Sequence, residues 1–302
     1  MKTNLWIDTD MGNDDIMAIS MLFLSNKTSI KGISLVNGVS SVNRGYENIN
    51  VLLTYCGVNI PILSGYTTAL VPNNTTFPIQ DRKRAENLTL LSNLGIPKNK
   101  LKNDKQIGVK SIASFISKNI TILALGPLTN LASIIQNQGA KFKNNVNQII
   151  LMGGGLKKGN VPPSRKAEYN IWLDPQAAQI VFNSGIPIIM VGIDATSCVP
   201  NSKEFVSLIS EIQPNTIFGK IIKAITLGNT TDFDYFYDPL AASLLFNSTI
   251  QTDSKQGQIN VSLKGDDIGT TYLNACSNGN VKVVTNVNSE RFFSLLIDLM
   301  TL

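Results

Sequence analysis

Residues 8–15, Asp-Thr-Asp-Met-Gly-Asn-Asp-Asp, place Asp8, Asp10, Asp14 and Asp15 within eight positions. Carboxylates this close repel one another unless a proton or a cation lies among them. Asp8 and Asp10 leave the end of an apolar run, TNLWI (3–7), while Asp14 and Asp15 fall in the first turn of a helix read over 14–25. An acid there complements the positive end of a helix, which accounts for one or two of the four. The stronger reading is a site for a hard cation. Oxygen donors without His or Cys suit Ca²⁺ or Mg²⁺, and Ca²⁺ takes about 6–8 of them in flexible geometry. Gly12 is read as the residue permitting the tight reversal between strand and helix. A further acid is needed from elsewhere, and YDPL (237–240) offers Asp238 at a predicted helix start.

The chain contains no histidine, so imidazole supplies no base, acid or metal ligand. Cys56, Cys198 and Cys276 are odd in number and widely spaced; they imply neither a disulfide framework nor a zinc site, and point to a reducing compartment such as the cytoplasm. The 26 Lys and Arg against 21 Asp and Glu give a net charge of +5, with one denser basic run at KNKLKNDK (98–105). Lysines without interleaved Arg and aromatics read as a solvated face, which argues against a nucleic-acid partner. The N-terminus does not read as a signal peptide, and no apolar run reaches the ~18 residues of a membrane span, so no membrane is expected.

These residues need a frame that brings them together. Ile/Leu/Val-rich runs at 3–7, 30–36, 119–125, 147–152 and 186–191 read as buried strands, alternating with helical spacing at 14–25, 41–56, 128–137 and 175–184. Asp174 before Pro175 fits an N-cap with proline at the first helical position, and Gly185 fits the stop. Further helices are expected at 202–213, 215–228, 238–246 and 288–300, and strand-like segments at 259–263 and 281–285. This alternation predicts a single α/β domain over 1–302, doubly wound, with a mostly parallel sheet and helices on both faces. Such folds bind ligands outside the C-terminal strand ends. Polar or glycine-rich signals follow each of the five strands: DTDMGNDD, NGVSS, GPLTN, GGGLKKGN and GIDATS. They are expected to share one rim, and the irregular segments 64–111 and 153–170 to form loops over it.

The motif DTDMGNDD, followed in order by LALGPLTNLA (123–132), ILMGGG (150–155), GNVPPSRKAEYNIWLDPQAAQIVF (159–182), VGIDAT (191–196) and YDPLA (237–241), resembles the calcium-dependent nucleoside hydrolases from residue 3 to about 246. The resemblance implies a ribonucleoside N-ribohydrolase in nucleoside salvage, a homodimer or homotetramer, acting on a small-molecule nucleoside. It implies Ca²⁺ held by Asp10, Asp15, Asp238 and the Leu125 backbone carbonyl, binding the attacking water and the ribose hydroxyls. Asp10 would take the proton of that water, whose pKa the cation lowers. Asp14, Asn160, Glu168 and Asn170 match positions that hold the ribose hydroxyls and stabilise an oxocarbenium-like transition state.

Three departures from the family pattern stand out. The usual Gly-Asn after the second strand is Asn37-Gly38-Val39 here, so Asn37 is the candidate substitute for the ribose-binding Asn. Two extra residues separate Asn160 from Glu168. Tyr237 precedes Asp238 where many members carry a proton-donating His; it would stack on a purine base, helped by Phe233, Tyr235 or Phe236, or donate a proton itself. The stacking role tilts the expected preference slightly to purines. Two other readings compete: a phosphatase using WIDTD as its nucleophile motif, for which Gly12 is the wrong residue, and a non-catalytic calcium- and ribose-binding protein on the same scaffold.

Overall fold

The structure is a computed structural model that describes residues 1–87, 94–96, 109–228 and 234–302. The basic run 98–105 and Phe233 lie outside the described residues. Nine strands form one sheet: β1 (Thr3–Thr9), β2 (Thr28–Leu35), β3 (Ile62–Ser64), β4 (Ile120–Ala124), β5 (Val146–Met152), β6 (Ile188–Val191), β7 (Gln251–Val261), β8 (Thr271–Ala275) and β9 (Val281–Val287). Their order is β3-β2-β1-β4-β5-β6-β9-β7-β8. The pairs from β3 to β9 are parallel, while β7 runs antiparallel to both β9 and β8. The expected fold class is thus observed.

Period-two alternation divides the core between the two faces. Leu5 and Ile7 of β1 pack with the helices Asn13–Leu24, Val42–Tyr55, Ile217–Gly228 and Ser289–Thr301. Trp6, between them, belongs to the core on the opposite side, which also holds Ile134 and Phe182, and its ring centroid lies 6.2 Å from that of Phe115. Burial on both faces explains why these strands read as continuous apolar runs rather than alternating ones. The helix after Asp174 forms as its caps predict: it spans Pro175–Phe182, Asp174 Oδ1 accepts from Ala177 N at 3.0 Å, and Gly185 follows with a left-handed φ of 76°.

From β1 the chain runs outward to β2 and β3, then returns to the other side of β1 at β4. That reversal opens a crevice above the C-terminal ends of β1 and β4. Asp8 pairs with Ala124 there, and Leu125 N donates to Asp8 O at 2.8 Å. Buried polar groups lock the edge of the crevice. Asn130 Nδ2 donates to Asp8 Oδ1 at 2.8 Å and to Leu35 O at 3.0 Å, and its Oδ1 accepts from Tyr66 N at 2.9 Å. Ser34 Oγ also donates to Asp8 Oδ1, and accepts from Trp6 Nε1 at 2.9 Å. Asp8 is therefore a brace joining β1, β2 and the helix Thr129–Gln138.

Because Asn130 satisfies three partners at once, Asn130→Ala is expected to destabilise the metal-loaded protein by on the order of 3 kcal/mol. Urea unfolding checks this; a loss below about 0.5 kcal/mol, typical of an inert surface change, would contradict it.

Candidate active site

A cavity of about 310 Å³ opens at the crevice, lined from β1's loop by Asp10, Gly12, Asn13, Asp14 and Asp15, from β2's loop by Val39, and from β4 by Leu125. Met152, Asn160 and Glu168–Asn170 close it from β5's side, Tyr237 and Asp238 from the helix Tyr237–Ser243 with Asp234 just before it, and Phe77, Asp81, Arg84 and Ala85 from the helix Ile79–Asn87 and the residues before it. Three of the five strand-end signals thus place residues on one rim, and a fourth, GPLTN, follows Leu125, which lines it. GIDATS does not reach it: Asp194 instead accepts from Leu156 N at 2.5 Å and Lys157 N at 3.2 Å, and so supports the loop after β5.

The acidic turn is built locally. Met11, not Gly12, takes the left-handed backbone, with φ of 58°, while Gly12 is extended at φ −71° and ψ 176°. Glycine at 12 gives the carboxylates space, because a Cβ there would lie 2.8 Å from Asp14 Oδ1 and 3.1 Å from Asp15 Oδ2 and would push the Asp14 side chain aside. Asp15 accepts from Gly12 N at 2.9 Å and from Thr9 Oγ1. Asp10 Oδ2 accepts from Val39 N at 2.7 Å, and a Cβ on Gly38 would come within 1.9 Å of that oxygen.

Carboxylate oxygens of Asp14, Asp15 and Asp238 lie within 4.8 Å of one another. Donors about 2.3–2.6 Å from a single Ca²⁺ ion can be at most about 5 Å apart, so this trio fits one ion. Asp10 lines the same cavity beside Asp15, and the trio includes Asp14, expected on the ribose, rather than Asp10. The donor set is oxygen throughout. Burial is the main cause of a raised pKa at every one of these acids; repulsion from neighbouring carboxylates adds to it at Asp10, Asp14 and Asp238, whereas hydrogen bonds from Thr9, Asp238 and Gly12 oppose it at Asp15. Asp10 and Asp238 stand well above the ordinary carboxylate range, Asp15 is raised, and Asp14 is pushed up to about 7. A cation among these oxygens would supply the compensating charge that favours their ionised form.

Glu168 caps the helix Tyr169–Leu173, its carboxylate accepting from Asn170 N at 2.9 Å, Gly154 N at 3.0 Å and Ile171 N at 3.2 Å. Burial nevertheless raises it to about 7. Asn170 Nδ2 donates to Leu125 O at 3.0 Å and Met152 O at 3.2 Å, which leaves its side-chain oxygen to offer a ligand. Asn160 is the converse: its Oδ1 accepts from Tyr169 N at 3.1 Å, leaving its amide nitrogen. The two extra residues are absorbed in a closed turn, with Asn160 N donating to Ala167 O at 2.9 Å and Arg165 N to Val161 O at 2.8 Å.

Tyr237 lines the cavity, and burial first, then Asp234 and Asp14, pushes its phenol above the ordinary value. Tyr235 meets it edge-on, with ring centroids 6.1 Å apart, but is not a lining residue; Phe236 is fully buried in the core. Asn37 is likewise absent from the lining, its Oδ1 accepting from Arg82 Nη2 at 3.3 Å, and Val39 faces the cavity instead. Sequence reasoning did not single out Phe77 and Tyr169, whose rings stack at 4.4 Å and 17°, nor Asp81 and Arg84. Tyr169 was within reach, as the residue between Glu168 and Asn170.

An acidic cavity at the switch point of a doubly wound sheet, with three carboxylates close enough to share one ion, defines a class: α/β proteins with a site for a hard cation. The particular family follows from comparison. The chain belongs to the inosine-uridine preferring nucleoside hydrolases, whose family model matches residues 5–294. It is 29% identical to a probable ribonucleoside hydrolase of Dictyostelium discoideum, over 97% of this chain and 93% of that protein. It is 26% identical to an inosine-uridine preferring nucleoside hydrolase of Leishmania major, over 99% and 97%. A plant nucleoside hydrolase structure superposes with a TM-score of 0.81 at 27% identity, covering 100% of this chain and 99% of that one. The chain is therefore a hydrolase of ribonucleoside N-glycosyl bonds, neither a phosphatase nor a non-catalytic binding protein. Its family is metal-dependent, and the acidic cluster is of the kind that requirement demands. Among the described residues no helix is long and apolar enough to cross a membrane.

The raised carboxyls carry a stability consequence with a defined sign. The folded metal-free protein keeps protons on Asp8, Asp14 and Glu168 up to about pH 7, whereas ordinary values are 3.8 for Asp and 4.5 for Glu. Native protons exceed unfolded ones across that window, so their contribution is fully present below about pH 4 and lost as pH rises through 7. The melting temperature of chelator-treated protein is expected to fall between pH 5 and pH 8, and excess calcium to abolish most of that fall. A flat or rising profile without metal would contradict the burial of these groups.

Proposed function

We propose that the bound cation is Ca²⁺ and that Asp10, Asp15, Asp238 and the Leu125 carbonyl hold it, with Asp14 close enough to join them. The carrying observation is the buried carboxylates of Asp15 and Asp238 with the half-buried one of Asp14, all within 4.8 Å of one another in a site lined by neither His nor Cys. A hard cation there would supply Lewis-acid chemistry, making an attacking water acidic enough for a carboxylate to deprotonate. Asp10 takes that proton on Oδ1, the oxygen not held by Val39 N. Asp14 and Glu168 accept from ribose hydroxyls, Asn160 donates through its amide nitrogen, and Asn170 accepts through its oxygen. Together these negative and dipolar groups favour the positive charge that develops on the ribose as the N-glycosyl bond breaks.

We assign the leaving base to the aromatic side of the cavity, where Tyr237 faces it from one element and the stacked Phe77 and Tyr169 from two others. A phenol pushed up in pKa is a poor proton donor at neutral pH, so Tyr237 acts as a stacking surface rather than an acid, and Tyr235 supports it edge-on. A wide aromatic wall favours the two-ring purine bases. On this reading residues 1–302 are one domain, consistent with one sheet running from β1 to β9. Nucleoside salvage, a cytoplasmic location and a homodimer or homotetramer complete the proposal; three free cysteines accord with a reducing compartment.

Ribose release from inosine, adenosine, guanosine, uridine and cytidine, with calcium and with excess chelator, tests the reading. Calcium-dependent release, abolished in Asp10→Asn with the fold retained, is expected; release that survives chelation or the substitution would overturn the assignment. For Tyr237, the Phe variant is expected to keep most of the purine kcat/KM, and the Ala variant to lose about tenfold, the size of one stacking contact of ~1–1.5 kcal/mol. Equal losses in Phe and Ala would point to proton donation instead.

A further inference from the structure

Arg82 lies on the helix Ile79–Asn87 but does not line the cavity; its neighbours Asp81, Arg84 and Ala85 do. Its guanidinium turns toward the loop after β2. Nη1 donates to Gly38 O at 2.7 Å and Nη2 to Asn37 Oδ1 at 3.3 Å. Glu86, one turn on, pairs with Arg82 at 3.6 Å and accepts from Ser41 N at 3.0 Å, so one helix face holds both ends of residues 37–41. Asn48 Nδ2 in turn donates to the Ala85 and Glu86 carbonyls at 3.4 and 3.3 Å, which anchors that helix to its neighbour.

The carbonyl that Arg82 grips and the N–H that grips Asp10 belong to the same peptide unit, Gly38 C=O and Val39 N–H. In a planar trans peptide these two groups point to opposite sides. Fixing the oxygen fixes the plane, and so fixes the direction of the N–H 2.7 Å from Asp10 Oδ2. A charged donor on the carbonyl also polarises the peptide and strengthens the bond on its far side. Gly38 makes the contact possible, since any Cβ would overlap the Asp10 carboxylate.

We propose that Arg82 is a positioning residue for Asp10, acting through the Gly38–Val39 peptide to hold Oδ2 and turn Oδ1 into the cavity. The proposal rests on the reading of Asp10 as ligand and base. It also gives Asn37 a role, as the second acceptor that orients the Arg82 fork rather than a ribose ligand.

The test measures kcat and KM for inosine at saturating calcium, and calcium affinity without substrate by calorimetry, in Arg82→Ala, Arg82→Lys, Lys83→Gly and Asp10→Asn. Groups that orient ligands from behind typically cost 10–100-fold in affinity or activity when removed, so Arg82→Ala is expected to lose about that in kcat and in calcium affinity, with KM little changed. Arg82→Lys restores a charged donor to Gly38 O and recovers most of both. Lys83→Gly weakens the same helix from an exposed position and leaves both near the parent values. Should Arg82→Ala fail to fold, Arg82→Met, which keeps side-chain length and helix propensity, carries the same expectation. Parent-like kcat and calcium affinity in Arg82→Ala, no recovery in Arg82→Lys, or an equal loss in Lys83→Gly would overturn the positioning role. If Asp10→Asn retains kcat and calcium binding, the assignment of Asp10 itself falls, and this proposal with it.

Discussion

Repulsion among buried carboxylates is the constraint on which the rest of the structure depends. Asp10, Asp14, Asp15 and Asp238 share one cavity in the absence of any facing imidazole, and Arg84 is its one cationic lining residue among those described. Left alone, such a cluster lowers its energy by retaining protons: burial raises each acid in pKa, and repulsion raises Asp10, Asp14 and Asp238 further. A divalent cation resolves the same conflict by neutralising charge, and leaves the carboxylates deprotonated and able to act as bases. Folding and catalysis thus draw on one electrostatic fact: the site is unfavourable without its ion and competent with it.

The surrounding architecture holds these charges where the chain would otherwise spread them. The acids come from the loop after β1 and from the helix Tyr237–Ser243, segments more than 200 residues apart in sequence that the sheet's switch point brings together. Beneath them Asp8, braced by Asn130 and Ser34, ties the ends of β1 and β2. Beside them the Gly38–Val39 peptide aims Asp10. Opposite them Glu168 is immobilised by three backbone N–H groups, so its carboxylate is already fixed on the cavity wall.

Much of this was legible in the sequence, for identifiable reasons. Strands buried on both faces announce themselves as apolar runs, and β1, β2, β4, β5, β6 and β9 lie where those runs are. The acids of residues 8–15 are contiguous, so their repulsion could be read without a structure. What escaped lacked either signal. β3 is three residues long, and the first half of β7, QTDSKQ, is largely exposed and shows no alternation. The helix Ile79–Asn87 buries only Ala85, so IQDRKRAEN reads as a loop, and with it Asp81, Arg84 and Arg82 were missed. Gly12 was assigned a backbone role that Met11 performs, because a requirement for space looks the same in sequence as a requirement for positive φ. Asn37 illustrates the converse: a plausible residue type two positions from the cavity-lining Val39, engaged by Arg82.

The most direct measurement is the proton balance of calcium binding, by titration calorimetry at pH 7 in buffers of differing ionisation enthalpy. If the carboxyls share protons until a cation replaces them, one calcium ion binds per chain and at least part of a proton is released as it does so. Binding with no proton release would contradict the account, because the acids would already be fully ionised and the strain that explains the site would not exist.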